Sequence, residues 1–171
     1  MNGVRVFKSS EFLDERGSFL KLYTHEQSGY VEPFVLFESF ISESRKGVVR
    51  GFHLQTGISA NHRVIQVIEG KVLDVLLDLR TDSNTFGMYE SMELSADNRL
   101  TLLIPPGVAH GFQALEKSKM LYMTSSAWDP ARDTGVRPVG SGFTWPLPIT
   151  FMSQRDTNLP TLEEFNSGIV H

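Results

Sequence analysis

The sequence predicts an all-β fold, and three observations carry that prediction. From Val4 to about Phe112, short β-branched and aromatic runs alternate with turn residues. Over the same span helical periodicity is nearly absent. One stretch, 63–80, reads as strand, turn, strand, with alternating faces in its second half. At 171 residues the chain suits one domain, 1–171, and a domain of this size buries roughly 70% of its unfolded surface around a core.

The candidate strands, in order, are 4–7, 19–23, 34–41, 47–54, 63–68, 71–79, 88–94, 100–104, 111–115 and 120–126, each rich in Val, Ile, Leu, Phe or Tyr and bounded by Gly, Pro, Asn, Asp or Ser. Glu69-Gly70 falls where a tight hairpin turn needs a residue that tolerates positive φ. In 71–79, Leu73, Val75, Leu77 and Leu79 share one face, while Asp74, Asp78 and Arg80 share the other. Such a polar face is either solvent-exposed or lines the lumen of a barrel, and length does not decide between them. After Ser126 the chain is rich in Pro and Gly through Trp145-Pro146-Leu147 and is expected to be largely irregular. Thr161, followed by Glu164, has the pattern of a capping box and predicts a short helix. Nothing marks a linker before this tail, so it is expected to fold back over the sheet.

Composition removes several function classes. The chain has a net charge of −4 and no cysteine. A slightly acidic surface argues against nucleic-acid or anionic-membrane binding, which need concentrated basic charge. The absence of cysteine excludes disulfides, thiolate zinc sites and a cysteine nucleophile, and fits a reducing compartment. The N-terminal residues lack a signal-peptide core and no apolar run approaches the roughly 20 residues of a membrane span. A cytoplasmic location is the expectation.

Two of the five histidines stand in informative contexts. In strand, His53 shares a face with Gly51 and Gln55, while Phe52 and Leu54 point the other way, into packing expected between the sheets. The Pro105-x-Gly107 turn just before His110 delivers that residue at a similar rim position. Two imidazoles in one barrel raise metal binding, with His62 as a third donor. Metal-binding cupins, however, use a His-x-His pair, and His53-Leu54-Gln55 lacks the second His. No metal and no cofactor are therefore expected.

Arg50-Gly51-Phe52-His53-Leu54-Gln55, then Arg63 through Asp74 to Asp78-Leu79-Arg80, then Thr85-Phe86-Gly87, Ile104-Pro105-x-Gly107-x-Ala109-His110-Gly111-Phe112, Trp145-Pro146-Leu147 and Ser153-x-Arg155-Asp156 keep their order and spacing over most of the chain. The set resembles the dTDP-4-dehydrorhamnose 3,5-epimerase family. That resemblance implies a cupin-type β-jelly-roll barrel with a short irregular or helical C-terminal tail, and a metal-independent, homodimeric enzyme acting on a nucleoside-diphosphate 4-keto sugar. It implies His53 as the base, paired with Asp156, and Tyr122 as the acid on the opposite face. A carboxylate on one ring nitrogen would fix the tautomer and stabilise the imidazolium. The same resemblance implies Arg63 at the enolate oxygen, Arg16 and Arg50 at the diphosphate, Trp128 stacking on base or sugar, and Gln55, Asp74, His110 and Arg155 around the substrate.

The chain departs from the family pattern at four positions. Arg63 stands where a Lys is common, Lys21 where an acidic residue is frequent, and Glu38 and Phe40 where the family often has Gln and Asn. The nucleotide, the sugar, and the choice among C3, C5 or both are left open by these departures. A 3,4-ketoisomerase and a catalytically silent sugar-nucleotide binder are the alternatives.

Overall fold

The computed structural model describes residues 1–29 and 34–167. Its strands are β1 (Arg5–Lys8), β2 (Ser10–Asp14), β3 (Gly17–Lys21), β4 (Glu38–Ser44), β5 (Val49–Gln55), β6 (Arg63–Glu69), β7 (Lys71–Asp78), β8 (Tyr89–Ser95), β9 (Leu100–Ile104), β10 (Val108–Ala114), β11 (Ser118–Thr124) and β12 (Asp133–Gly135). Three short α-helices, α1 (His25–Ser28), α2 (Gln154–Thr157) and α3 (Leu162–Asn166), and a 3-10 turn at Gly57–Ser59 complete the regular structure of the described residues. Two antiparallel five-stranded sheets, β1-β9-β6-β11-β4 and β12-β5-β10-β7-β8, form the barrel, and β2–β3 stands apart as a two-stranded hairpin. The fold is an all-β jelly roll of the cupin type, as expected.

Residues 63–80 do not form a hairpin. β6 pairs with β9 and β11, β7 with β8 and β10, so the chain turns a corner at Gly70 from one sheet into the other. Gly70 has φ +76°, and a Cβ there would lie 2.0 Å from the Lys117 carbonyl oxygen. A tight turn between two apolar runs has the same local signature whether the strands pair or part. Only the long-range pairing distinguishes the two.

The polar face of β7 is a lumen face. Asp74 and Asp78 are 0% exposed, and their inward-pointing neighbours Val72 and Leu76 pack with Ile65, Leu102, Phe112 and Met120 inside the barrel. The opposite face carries Val75, Leu77 and Leu79 into a second core with Phe52, Leu54, Ala109 and Val136. Phe143, Trp145, Leu162 and Phe165 of the tail cover this second core. Phe52 and Leu54 thus lie outside the barrel, not between the sheets, with the Phe52 and Trp145 rings stacked at 5.7 Å. Each large side chain buried this way contributes about 1.5–3 kcal/mol. The tail closes with the expected capping box: Glu164 N donates to Thr161 Oγ1 (3.1 Å) and Thr161 N to Glu164 Oε2 (2.7 Å).

Strand ends differ from expectation where local composition misleads. β4 begins at Glu38, because Val35, Leu36 and Phe37 are exposed and lie before the ladder with β11. β2 and β12 were not anticipated; the first is largely polar and the second spans only Asp133–Gly135.

At the end of β7, Asp78 organises the following turn. Its Oδ1 accepts from Arg80 N and Nε, and its Oδ2 from Arg80 Nη2, Ser83 Oγ and Thr85 Oγ1, the shortest at 2.6 Å. Burial would raise this carboxyl, but the hydrogen bonds from Arg80, Thr85 and Ser83 outweigh it and hold the group well below the usual range. Asp78→Asn is expected to cost about 3 kcal/mol, read by urea unfolding at neutral pH. Because the folded-state value is depressed, the stabilisation is complete above the unfolded Asp value of about 3.9 and is lost as pH falls toward the folded one. The difference between wild type and variant should therefore shrink below about pH 4.

Candidate active site

A cavity of about 300 Å³ opens at one end of the barrel, between the two sheets. β5 supplies Arg50, His53 and Gln55, β10 supplies His110, and on the facing sheet β6 supplies Arg63 and β11 supplies Tyr122. Phe40 and Ser42 of β4, with Trp128, Asp133 and Arg155, complete much of the wall.

His53 is fixed by its register. It lies opposite His110 on one side and opposite Gly135 on the other. At Gly135 a Cβ would sit 1.7 Å from the Phe52 carbonyl oxygen, so only glycine lets β12 close against β5 here. The ring Nε2–H donates to Asp156 Oδ1 at 2.7 Å, across 103 residues of sequence. Asp156 rides on α2, whose N-cap Ser153 accepts from the Asp156 amide, and its Oδ2 accepts from Gly51 N at 3.3 Å. Burial alone would raise the Asp156 carboxyl. The hydrogen bond and charge of His53, with the Gly51 amide and Ser153, outweigh burial and hold it below the carboxylate range. With Nε2 committed to the carboxylate, Nδ1 is the nitrogen left to accept a proton.

Arg63 is half-buried. Its Nη1 donates to the His53 carbonyl (2.9 Å) and its Nη2 to the Val108 carbonyl (2.6 Å), while Nε has no partner. One guanidinium therefore ties β5 and β10 to the facing β6. Burial lowers its pKa to about 10, with Tyr122 and Asp74 acting in the opposite direction. It remains a cation at neutral pH.

Tyr122 is 8% exposed. Its hydroxyl contacts Met120 Sδ at 3.7 Å, a weak acceptor. Phe40 stacks on one face of its ring (centroids 4.8 Å apart, 10° between planes), and His110 meets it edge-on at 6.0 Å. Burial raises the phenol pKa, so the proton stays on the oxygen at neutral pH.

His110 forms a second imidazole–carboxylate pair, Nε2 to Asp74 Oδ2 at 2.7 Å, and Asp74 Oδ1 has no partner. Gln55 Oε1 accepts from Asp129 N at 3.1 Å, leaving Nε2 buried and unpartnered. Toward the rim, Asp133 Oδ2 accepts from Trp128 Nε1 (3.0 Å) and pairs with Arg155 Nη2 (2.7 Å). Arg50, exposed at the mouth, donates to Ser44 Oγ and the Glu43 carbonyl. Among the described residues no three His, Asp or Glu side chains converge as metal ligands.

The structure thus brings together His53, Asp156, Tyr122, Arg63, Arg50, Gln55, Asp74, His110, Trp128 and Arg155. Arg16 is the exception. It sits at the exposed turn of β2–β3, paired with Asp14 at 2.5 Å, away from this chain's cavity. Asp133 and Ser42 were missed. Asp133 opens the three-residue strand β12, in a stretch whose local signal is acidic residues near a Trp, and Ser42 is one of several serines in a polar run.

A sequence profile described as dTDP-4-dehydrorhamnose 3,5-epimerase matches residues 1–164. The Salmonella typhimurium dTDP-4-dehydrorhamnose 3,5-epimerase is 32% identical over 169 residues, 94% of this chain and 91% of that protein. The crystal structure of the Sulfolobus tokodaii dTDP-4-dehydrorhamnose 3,5-epimerase superposes with a TM-score of 0.89 at 36% identity, covering 96% of this chain and 93% of that one. The Legionella pneumophila enzyme, solved in complex with dTDP-4-keto-L-rhamnose, gives 0.88 at 27% identity, covering 99% and 93%.

Proposed function

Since the chain belongs to the dTDP-4-dehydrorhamnose 3,5-epimerase family, we propose that it is an isomerase that inverts C3, C5 or both of a dTDP-linked 4-keto-6-deoxy hexose. One observation carries the reading: a carboxylate-held imidazole and a protonated phenol stand on opposite walls of one cavity, beside a half-buried cation. His53 Nδ1 takes the proton from the carbon next to the ketone, and Asp156 stabilises the imidazolium that forms. The electron pair of the broken C–H bond moves onto the C4 oxygen, where Arg63 stabilises the enolate. Tyr122 then returns a proton to the carbon from the other face. Solvent afterwards resets His53 and Tyr122. A phenol whose pKa is raised by burial suits this step, because it yields its proton to a strongly basic carbon and not to water.

Arg50 and Arg155 at the mouth are proposed to hold the diphosphate, and the Trp128 indole, held by Asp133, to stack on the nucleotide or sugar. Gln55, Asp74 and His110 are proposed to contact the sugar; the unpartnered Gln55 Nε2 and Asp74 Oδ1 support this. We further propose a single domain, 1–171, in a homodimer. The β2–β3 hairpin supports the dimer: it pairs with neither sheet and exposes Phe12, Leu13 and Phe19. In such a dimer Arg16 would serve the partner's cavity. A cytoplasmic location is supported by the cysteine-free composition, and among the described residues no helix is long and apolar enough to cross a membrane.

The test is NMR in heavy water with dTDP-4-keto-6-deoxyglucose. Deuterium is expected at C3, C5 or both, with the ketone remaining at C4. Migration of the ketone to C3 would make the protein a ketoisomerase. No exchange with any of dTDP-, CDP- and GDP-linked 4-keto sugars would sink the proposal.

A further inference from the structure

The Tyr122 hydroxyl lies 3.7 Å from the Met120 thioether and beside the Ser42 hydroxyl of β4. The direction of the ring across the cavity is set by packing as well. Phe40 lies directly opposite Tyr122 in the β4–β11 ladder, and the two rings stack almost in parallel. Cross-strand aromatic pairs of this kind fix each other's rotamers as well as adding stability. His110 of the facing sheet meets the same ring edge-on, with centroids 6.0 Å apart. Phe40 itself is 47% exposed on the edge strand β4 and belongs to neither core. Its ring thus holds Tyr122 without being needed to hold the barrel.

We propose that Phe40 is a positioning residue for the acid step: it aims the Tyr122 hydroxyl at the reacting carbon while taking no part in proton abstraction by His53. The inference rests on Tyr122 being the acid, as proposed above. Its signature is a split between two rates. Without a correctly aimed acid, His53 still removes a proton and returns a solvent deuteron to the same face, so label enters the substrate without inversion.

The experiment uses full-length Phe40→Leu, which keeps an apolar side chain but removes the flat ring, with Phe40→Trp as the variant that keeps the stack. Deuterium entry and net inversion of dTDP-4-keto-6-deoxyglucose are followed in the same NMR sample. Phe40→Leu is expected to lower inversion by about tenfold or more while deuterium entry stays within about twofold of wild type. Phe40→Trp should restore most of the inversion, and Phe40→Leu added to Tyr122→Phe should cost nothing further. Equal losses of inversion and deuterium entry, a raised KM at unchanged kcat, or a full additional loss in the Tyr122→Phe background would each overturn the proposal. Failure of the underlying functional reading looks different: wild type itself would then show no deuterium entry.

Discussion

His53→Ala is expected to lower net epimerisation by about three orders of magnitude and to abolish deuterium entry into the substrate. The ring is the only base that the Asp156 carboxylate holds at the cavity wall, at 2.7 Å. Removing it takes away the first step, so the intact Tyr122 has no enolate to protonate. Losing both readouts together distinguishes this variant from Tyr122→Phe, which should keep the label entry and lose the inversion. The fold should persist, because the imidazole is partly exposed and Asp156 keeps the Gly51 amide and its Ser153 cap. Asp156→Asn should fall between wild type and His53→Ala. It preserves shape and a hydrogen-bond acceptor but removes the charge that stabilises the imidazolium. An alanine variant retaining deuterium entry at the wild-type rate would show that another group is the base.

Arg63→Met is expected to damage stability and turnover at once. The guanidinium donates to the carbonyls of His53 and Val108 from a half-buried position. Methionine fills a similar length but leaves both acceptors without a donor, at a cost of about 3 kcal/mol in urea unfolding. The loss of a cation beside the C4 oxygen should lower kcat about a hundredfold. Arg63→Lys separates the two effects. A lysine keeps the charge but cannot span two carbonyls with a planar fork, so it should recover more turnover than stability. If Arg63→Met were to unfold at the wild-type urea midpoint, the bridging role would be wrong; unchanged kcat would remove Arg63 from the enolate.

The fold class was legible because period-2 alternation is local, and 100–104 and the start of 63–68 match the strands at those ends. The corner at Gly70 was not legible, since pairing partners lie far along the chain. Nor was the destination of Phe52, because the apolar face it shares with Leu54 has the same sequence pattern whether a facing sheet or the C-terminal tail covers it. For the site, His53 and His110 stood out through their turn and strand contexts. Asp156, Tyr122 and Arg63 had no local signal strong enough to separate them from packing or surface residues, and entered through the order and spacing of the wider motif set. The Phe40–Tyr122 stack needed the register of β4 on β11.

The outer core has a consequence for how this protein fails under stress. The base stands on a strand of the barrel, and its carboxylate stands on the segment whose aromatic residues roof that barrel from outside. The barrel interior has its own separate cluster. Lifting the roof would therefore take Asp156 from His53 while the strands stay paired. Inactivation on heating or in mild denaturant should precede loss of the β-sheet signal, because the enzyme is no sturdier than its least stable layer.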